Sequence, residues 1–491
     1  MLVLRTDIPG SLTHILQGHT PKLVECPEFG VNYNTVDTLV RMKRTMVVLF
    51  VGTVLLMTSL TGCSVFSPGS ASPAFEMPPP DVQWAQAFGG SDVDEFDAVA
   101  TMADGRIFAV GYTSSDDGDL ADTHDHSSGA SDAVLACVTA EGALRWARTF
   151  GGTGDDRFKA VAVTPDGNLV VAGYTTSKDG DFPLKPRVVP SEPGNQSDAV
   201  VAEISPGGGL RWATTLGGSG QSSFSSIAVG ADGRIFVAGQ TTSGDADFAG
   251  NGQGGAVVSE LTQTGHVLWA RMYGSDNNVF NSVALKDDGT IIAAGFTAET
   301  FNHPKDAWVM TLSSSGDVLW EHAYGGNDAD MFTAVSVSRD DSIVAVGWTA
   351  AANGDFPSMA HAKYVSAVVA DISSDGSLSW IKVVSTGDDN RYLAVTASSD
   401  GNIVAGGSMF PKGSKHPNEA VLAEYGESGN LVWSKTMTGN DTIIFNGLAT
   451  ASDGGIVAVG STMATTGDIV SRHGSQTDAA IAKLNITGGQ L

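Results

Sequence analysis

From Val82 onward, apolar and polar positions recur in a fixed order. One unit reads FKAVAVTP, the pair Asp166-Gly167, NLVVAGYT, a long polar stretch, AVVAEIS, a glycine turn and LRWATTLGG. Short apolar runs bounded by turn residues predict β-strands, so each unit is expected to hold four, labelled a to d. Seven tryptophans mark one position on strand d: Trp84, Trp146, Trp212, Trp269, Trp320, Trp380 and Trp433. A sustained period of this length indicates one repeat array rather than several independent domains.

The a to b connection is Asp-Gly in six copies, with Gly105, Gly167, Gly233, Gly289, Gly401 and Gly454, and Asp340-Asp341 in the remaining copy. These pairs predict type I′ hairpins. The c to d connection also carries glycine, at Gly142, Gly207, Gly265, Gly316, Gly376, Gly429 and Gly488. Strand b is apolar almost throughout (IFAVGYT, LVVAGYT, IVAVGWT), which implies sheets covered on both faces. Its small Ala and Gly suggest crowding near an axis. Four-stranded sheets arranged about an axis form a β-propeller.

The ends of the array favour a closed ring over an open solenoid. The first tryptophan strand, residues 82–90, has no a, b or c before it, and the last unit ends at AAIAKLNITGGQL with no d after it. The expected fold is therefore all-β: a seven-bladed β-propeller with four antiparallel strands per blade, its last blade closed by the N-terminal strand. Closure removes the open sheet edge. Each d-strand tryptophan is expected to pack between blades.

The consensus WAxxFGGxxxDxFxAVAVxxDGxIxVAGYTxSxDGDF, followed by SDAVVAxISxxGxLxW, resembles the bacterial seven-bladed β-propeller repeat family over residues 82–491. Ser222-Ser223, Ser275 and the VVSTG ending of the fifth d strand depart from it. The resemblance implies an exported propeller without one common activity. A weaker similarity is to quinoprotein-type propellers, whose docking turn also sets glycine shortly before a tryptophan, but no adjacent Cys-Cys pair is present.

Upstream, residues 42–63 (MKRTMVVLFVGTVLLMTSLTGC) join a basic start to an apolar run and read as a secretory signal peptide. Leu60 to Cys63 resembles a bacterial lipobox, which implies lipidation of Cys63. Residues 1–41 then read as a misassigned start, with Met42 the initiator. Residues 64–81 are rich in Ser and Pro and read as a tether. The expected address is extracytoplasmic, lipid-anchored to the cell membrane or outer membrane, with contact to the membrane through the lipid only.

The net charge of -27 argues against nucleic acid, whose binding needs clustered Lys and Arg. Three cysteines, Cys26, Cys63 and Cys137, make no disulfide framework.

Candidate chemistry gathers on the face of the d to a and b to c loops, since variable loops on a rigid scaffold carry function. The d to a loops hold Asp92, Asp94, Glu95, Asp155, Asp156, Asp328, Asp330, Asp388 and Asp389, and the b to c loops hold Asp119, Asp181, Asp247, Asp355 and Asp468. No cofactor is expected; calcium is the cation such oxygen ligands would suit, whereas repetition in every blade favours turn-capping. Asp132, Asp198, Asp306, Glu419 and Asp478 begin the c strands and are expected to tie loops to neighbouring blades. One cluster is singular, Asp122, His124, Asp125 and His126, whose residue types suit a transition metal.

The leading expectation is a monomeric binding or interaction module for a protein, glycan or peptide of the cell envelope, with no catalytic residues assigned. The alternatives are a propeller enzyme acting on saccharides or through a quinone, and a scaffold of an envelope assembly complex. An enzyme would show nonrepeating polar residues pointing inward around a pocket, a binding module a broad loop surface, and a scaffold an exposed apolar patch.

Overall fold

A computed structural model describes residues 78–486 except 122–129, 183, 185–195, 250–253, 299–304, 357–363, 387–388, 411–417 and 473–475. The signal segment, Cys63, most of the tether, the cluster Asp122, His124, Asp125 and His126, and also Asp388 and Gly488, lie outside the described residues. All described residues belong to one compact unit, 74–491.

Seven four-stranded antiparallel sheets stand side by side. Blade one is β2 (Asp94–Thr101), β3 (Ile107–Thr113), β4 (Asp132–Val138) and β5 (Leu144–Phe150), strands a to d in order. Blades two to six repeat this over 156–216, 222–273, 279–324, 330–384 and 390–437. Blade seven takes β26 (Ile443–Thr450), β27 (Ile456–Thr462) and β28 (Asp478–Asn485) from the C-terminal part of the chain, and its fourth strand is β1 (Asp81–Phe88). β1 pairs antiparallel with β28 from Asp81↔Asn485 to Phe88↔Ala479. The predicted closure by the N-terminal strand is the observed one. Strands a contact one another around the ring, so they form its inner wall.

Burial follows the apolar pattern. Every residue of β3 and β4 is buried, because each middle strand has a neighbouring blade on both faces. Each seam between blades has its own apolar cluster, such as Phe150, Phe158, Phe182 and Val200 between blades one and two.

Two local expectations are corrected. The a to b turns are not type I′: in the first, Gly105 N–H donates to Met102 O and Met102 N–H to Arg106 O, and Gly105 is the turn residue with positive φ (85°). That is a three-residue connection ending in a left-handed bulge residue, so one glycine per turn suffices. In the second c to d turn, Gly208 rather than Gly207 takes this place, with φ 84°.

The glycine of strand b is crowded by its own blade, not by an axis. Strand a carries a bulge after its aromatic residue, between Phe96 and Ala98 in blade one, and a Cβ on Gly111 would lie 1.9 Å from Glu95 O. The same bulge recurs in all seven blades.

The tryptophans are clasps between blades. A Cβ on Gly142 would meet the ring of Trp84 at 2.7 Å, on Gly265 that of Trp212 at 2.5 Å, and on Gly429 that of Trp380 at 2.6 Å. Each of these rings thus lies on the c to d turn of the next blade, where glycine leaves room. Trp84, Trp320 and Trp380 also donate their indole N–H to that turn, at Ala140 O, Ser374 O and Glu427 O (2.9, 2.7 and 2.9 Å).

Candidate functional site on the loop face

Most of the repeated acidic residues on this face hold the ring together. In blade two, Asp181 N–H donates to Gly151 O (2.9 Å) and its Oδ2 accepts from Gly151 N–H (3.2 Å), joining this b to c loop to the end of blade one. Asp247, Asp355 and Asp468 repeat the two-way bond with Gly217, Gly325 and Thr438, and Asp119 N–H donates to Gly89 O. The apolar residue after each of these aspartates plugs the seam: Leu120, Phe182, Phe248, Phe356 and Ile469 are all buried.

The first residue of strand a is a second tie. Asp94 accepts from Gly90 N–H (2.8 Å), Ser115 Oγ (2.9 Å) and Thr113 Oγ1, and Asp156 accepts from Gly152 N–H (3.0 Å) and Ser177 Oγ (2.6 Å). Asp330 accepts from Gly326 N–H (3.0 Å). Asp94, Asp156 and Asp330 are all fully buried. Asp155 accepts from Ser131 N–H and Oγ (3.1 Å each), and Asp389 from Val365 N–H (3.0 Å). Asp92 and Asp328 are exposed. Asp132, Asp306 and Asp478 face the next blade's strand a across Gly151, Gly325 and Gly89. Among the described residues, no three His, Cys, Asp or Glu side chains are grouped to hold a metal ion.

Burial pushes the carboxyls of Asp94, Asp156 and Asp330 up to about 6, and nearby carboxylates (Asp478 beside Asp94, Asp306 beside Asp330) add to it. A folded pKa above the unfolded ~3.9 means that ionisation is harder in the fold. The stabilisation is complete below about pH 4 and is lost as pH rises through about 6. The triple variant Asp94→Asn, Asp156→Asn, Asp330→Asn, which copies Asn278 and Asn390 of other blades, is expected to flatten this part of the pH profile. Melting temperatures of both proteins from pH 4 to 7 check it; parallel curves would contradict it.

The singular residues sit on the inner wall, at the bulges. A bulge leaves one residue unpaired and re-aims its side chain. Around the ring these residues are Asp97, Lys159, Ser225, Asn281, Thr333, Leu393 and Asn446. Asn281 donates to Phe332 O (2.8 Å), Thr333 to Tyr392 O (2.7 Å) and Asn446 to Phe96 O (3.2 Å), each reaching the next blade. Blades one and two instead place charge there. Asn446 Nδ2 and Tyr112 OH donate to the two oxygens of Glu95 (2.6 and 3.2 Å), and the Arg157 guanidinium stacks 3.7 Å above the Tyr112 ring. Desolvation inside the ring pushes Asp97 up to about 7, with Lys159 opposing and Glu95 adding to the shift.

Beside this cluster, a recess of about 390 Å³ opens on the loop face between blades two and three. Lys159 and Tyr174 form its inner wall, and Gln196, Gln221, Gln240 and Thr242 supply carboxamides and a hydroxyl. Gln221 and Gln240 are exposed. Asp155, one of the loop acids singled out in the sequence, also lines the recess; Lys159, the glutamines and Asp97 are not among those acids. The available signal is the one changing position within the F-x-A of each strand a.

No family model matches the chain. It is 23% identical over 284 residues to the regulatory protein FlaEY of Caulobacter vibrioides, a match that takes in 54% of this chain and 27% of that protein. The chain thus spans about a quarter of the length of that relative. Among solved structures, it is similar to the WD40 β-propeller domain of Doa1 (TM-score 0.48, 10% identity, 83% of this chain and 98% of that one). It is also similar to the WD40 domain of Neurospora crassa Pan2 (TM-score 0.45, 10% identity, 80% and 90%). The strand order itself establishes a seven-bladed β-propeller.

Proposed function

We propose that this propeller is a lipid-anchored, extracytoplasmic interaction module of the bacterial repeat type, which binds a glycan or peptide of the cell envelope on its loop face. The observation that carries this reading is the recess between blades two and three. It lies on the face where the b to c connection varies from eight residues (between Thr297 and Asp306) to 22 (between Thr175 and Asp198). Its carboxamides and hydroxyls, with the Lys159 ammonium and the Asp155 carboxylate, match ligands rich in hydroxyl and amide groups. Nonrepeating side chains on a repeated scaffold are where a single specificity can reside.

The experiment is capture from envelope extracts by the mature protein and by a Lys159→Ala, Gln240→Ala variant. The variant is expected to lose the captured component at an unchanged melting temperature; equal capture would remove the reading. Mass spectrometry checks the anchor: the mature N-terminus is expected at a lipid-modified Cys63, and an intact chain with a free Cys63 would contradict it.

The inward-pointing group Glu95, Asp97, Arg157 and Lys159 favours one second reading, a propeller enzyme. An acid with a pKa of about 7 next to an ammonium suits proton transfer near neutral pH. Turnover of envelope saccharides that is lost in Asp97→Asn would support it.

A further inference from the structure

Among the described residues, an apolar side chain of the b to c loop plugs five of the seven seams on the loop side: Leu120, Phe182, Phe248, Phe356 and Ile469. Blades four and six have b to c connections of eight and nine residues (298–305 and 410–418), and these sequences contain no aspartate, whereas each plugging residue follows one. At a plugged seam, Phe182 packs against Phe150 (6.4 Å between centroids) and Phe158 (5.8 Å), with Val200 in the same cluster. Between blades three and four, the position of Val200 is Trp308, whose indole stacks on Phe280 at 4.7 Å. That seam carries its own aromatic filler at the plug site, although a recess of about 600 Å³ remains beside it.

The seam between blades five and six has no such filler among the described residues. The positions of Phe150, Phe158 and Val200 are Val384, Tyr392 and Val421. A cavity of about 500 Å³ runs there, lined by these three residues together with Met409, Tyr425 and Leu431. Thr386 and Ser434, both exposed, border it. Such a volume lies in the usual range of small-molecule sites. Buried in its wall, the hydroxyls of Tyr392 and Tyr425 lie 2.7 Å apart, and either can be the donor. Two hydroxyls carry two protons and their mutual bond uses one, so the pair keeps one proton to donate.

A looped peptide does not suit this seam. The plugging loops elsewhere run over a pair whose second residue is glycine (Gly90, Gly152, Gly218, Gly326 and Gly439), and a Cβ on Gly152 would come 2.6 Å from Asp179 O. Here the pair is Ser385-Thr386, and Thr386 Oγ1 stands 3.1 Å from both Asn390 Oδ1 and Phe410 O. We propose that the seam between blades five and six binds a small free molecule with an apolar ring and one hydrogen-bond acceptor, the ring taking the place that Phe182 holds at its own seam.

The test is a fluorine NMR titration of the mature protein with 4-fluoroacetophenone and with 1-ethyl-4-fluorobenzene, which lacks the acceptor. Saturable binding is expected, about fivefold tighter for the ketone, the worth of one hydrogen bond. In the Tyr392→Phe, Tyr425→Phe double variant the two probes should bind equally. Val421→Trp, which copies Trp308, and Val384→Phe, which copies Phe150, should each weaken binding at least tenfold without lowering the melting temperature. No saturable binding to the wild type, or undiminished binding to whichever filled variant folds, would overturn the proposal.

Discussion

Removal of Asp81–Phe88 is expected to abolish cooperative unfolding at the native melting temperature and to raise the oligomeric state. The strand is the whole outer edge of blade seven, pairing with β28 along its length. Ala87 and Phe88 are buried in the clusters on either side of that blade. Trp84 clasps the first c to d turn, and Gly89 beyond it receives the b to c loop of blade one. Losing these contacts together is comparable with the entire margin of about 5 to 15 kcal/mol that keeps a domain folded. An exposed β28 would present unpaired backbone groups and recruit a second chain. Light scattering and calorimetry on the shortened protein check this; an unchanged mass and melting temperature would refute closure by β1.

Trp433→Ala is expected to have the largest effect of any single d-strand tryptophan. At 2% exposure it is the one fully buried member of the series, packed with Leu422, Met437 and Ala464. Truncating a buried tryptophan costs about 3 to 5 kcal/mol. Trp320→Ala, at a half-buried ring, should cost less, through the lost indole bond to Ser374 O and partial burial. Denaturant unfolding of the two variants gives the ranking, and equal losses would contradict it.

Much of this architecture is legible in the sequence. The tryptophan period, the glycine turns and the continuous apolar strand b correspond to seven sheets whose middle strands are covered on both sides, and the two incomplete ends join in one blade. Less legible is anything that depends on a neighbour one blade away. The glycine of strand b is required because the bulge in strand a pushes Glu95 O towards it, and a bulge leaves no mark on an alternating pattern. The type of the a to b turn is missed for a related reason: Asp-Gly satisfies either geometry, and hydrogen bonding decides.

The loop acids show the same limit. Repetition of Asp94, Asp156 and Asp330 is readable, but their use as buried acceptors for the amides that end the preceding blade appears only once the blades stand together. What differs between blades defines the candidate site proposed above. Asp97 and Lys159 stand where Asn281, Thr333 and Asn446 make a neutral hydrogen bond to the next blade, and the Gln-rich recess lies beside Lys159. The short b to c connection of blade six is equally visible in the chain, yet the cavity at its seam also depends on Val384 standing where a plugged seam has Phe150, and on Val421 standing where the seam between blades three and four has Trp308.

A photo-crosslinking amino acid placed in turn at Gln240, in the recess, and at Asp288, in an a to b turn on the opposite face, tests where this propeller meets its partner. In intact cells, a discrete crosslinked product is expected from position 240 and none from position 288. Products from position 288 alone would place recognition on the turn face and contradict the assignment of function to the loops.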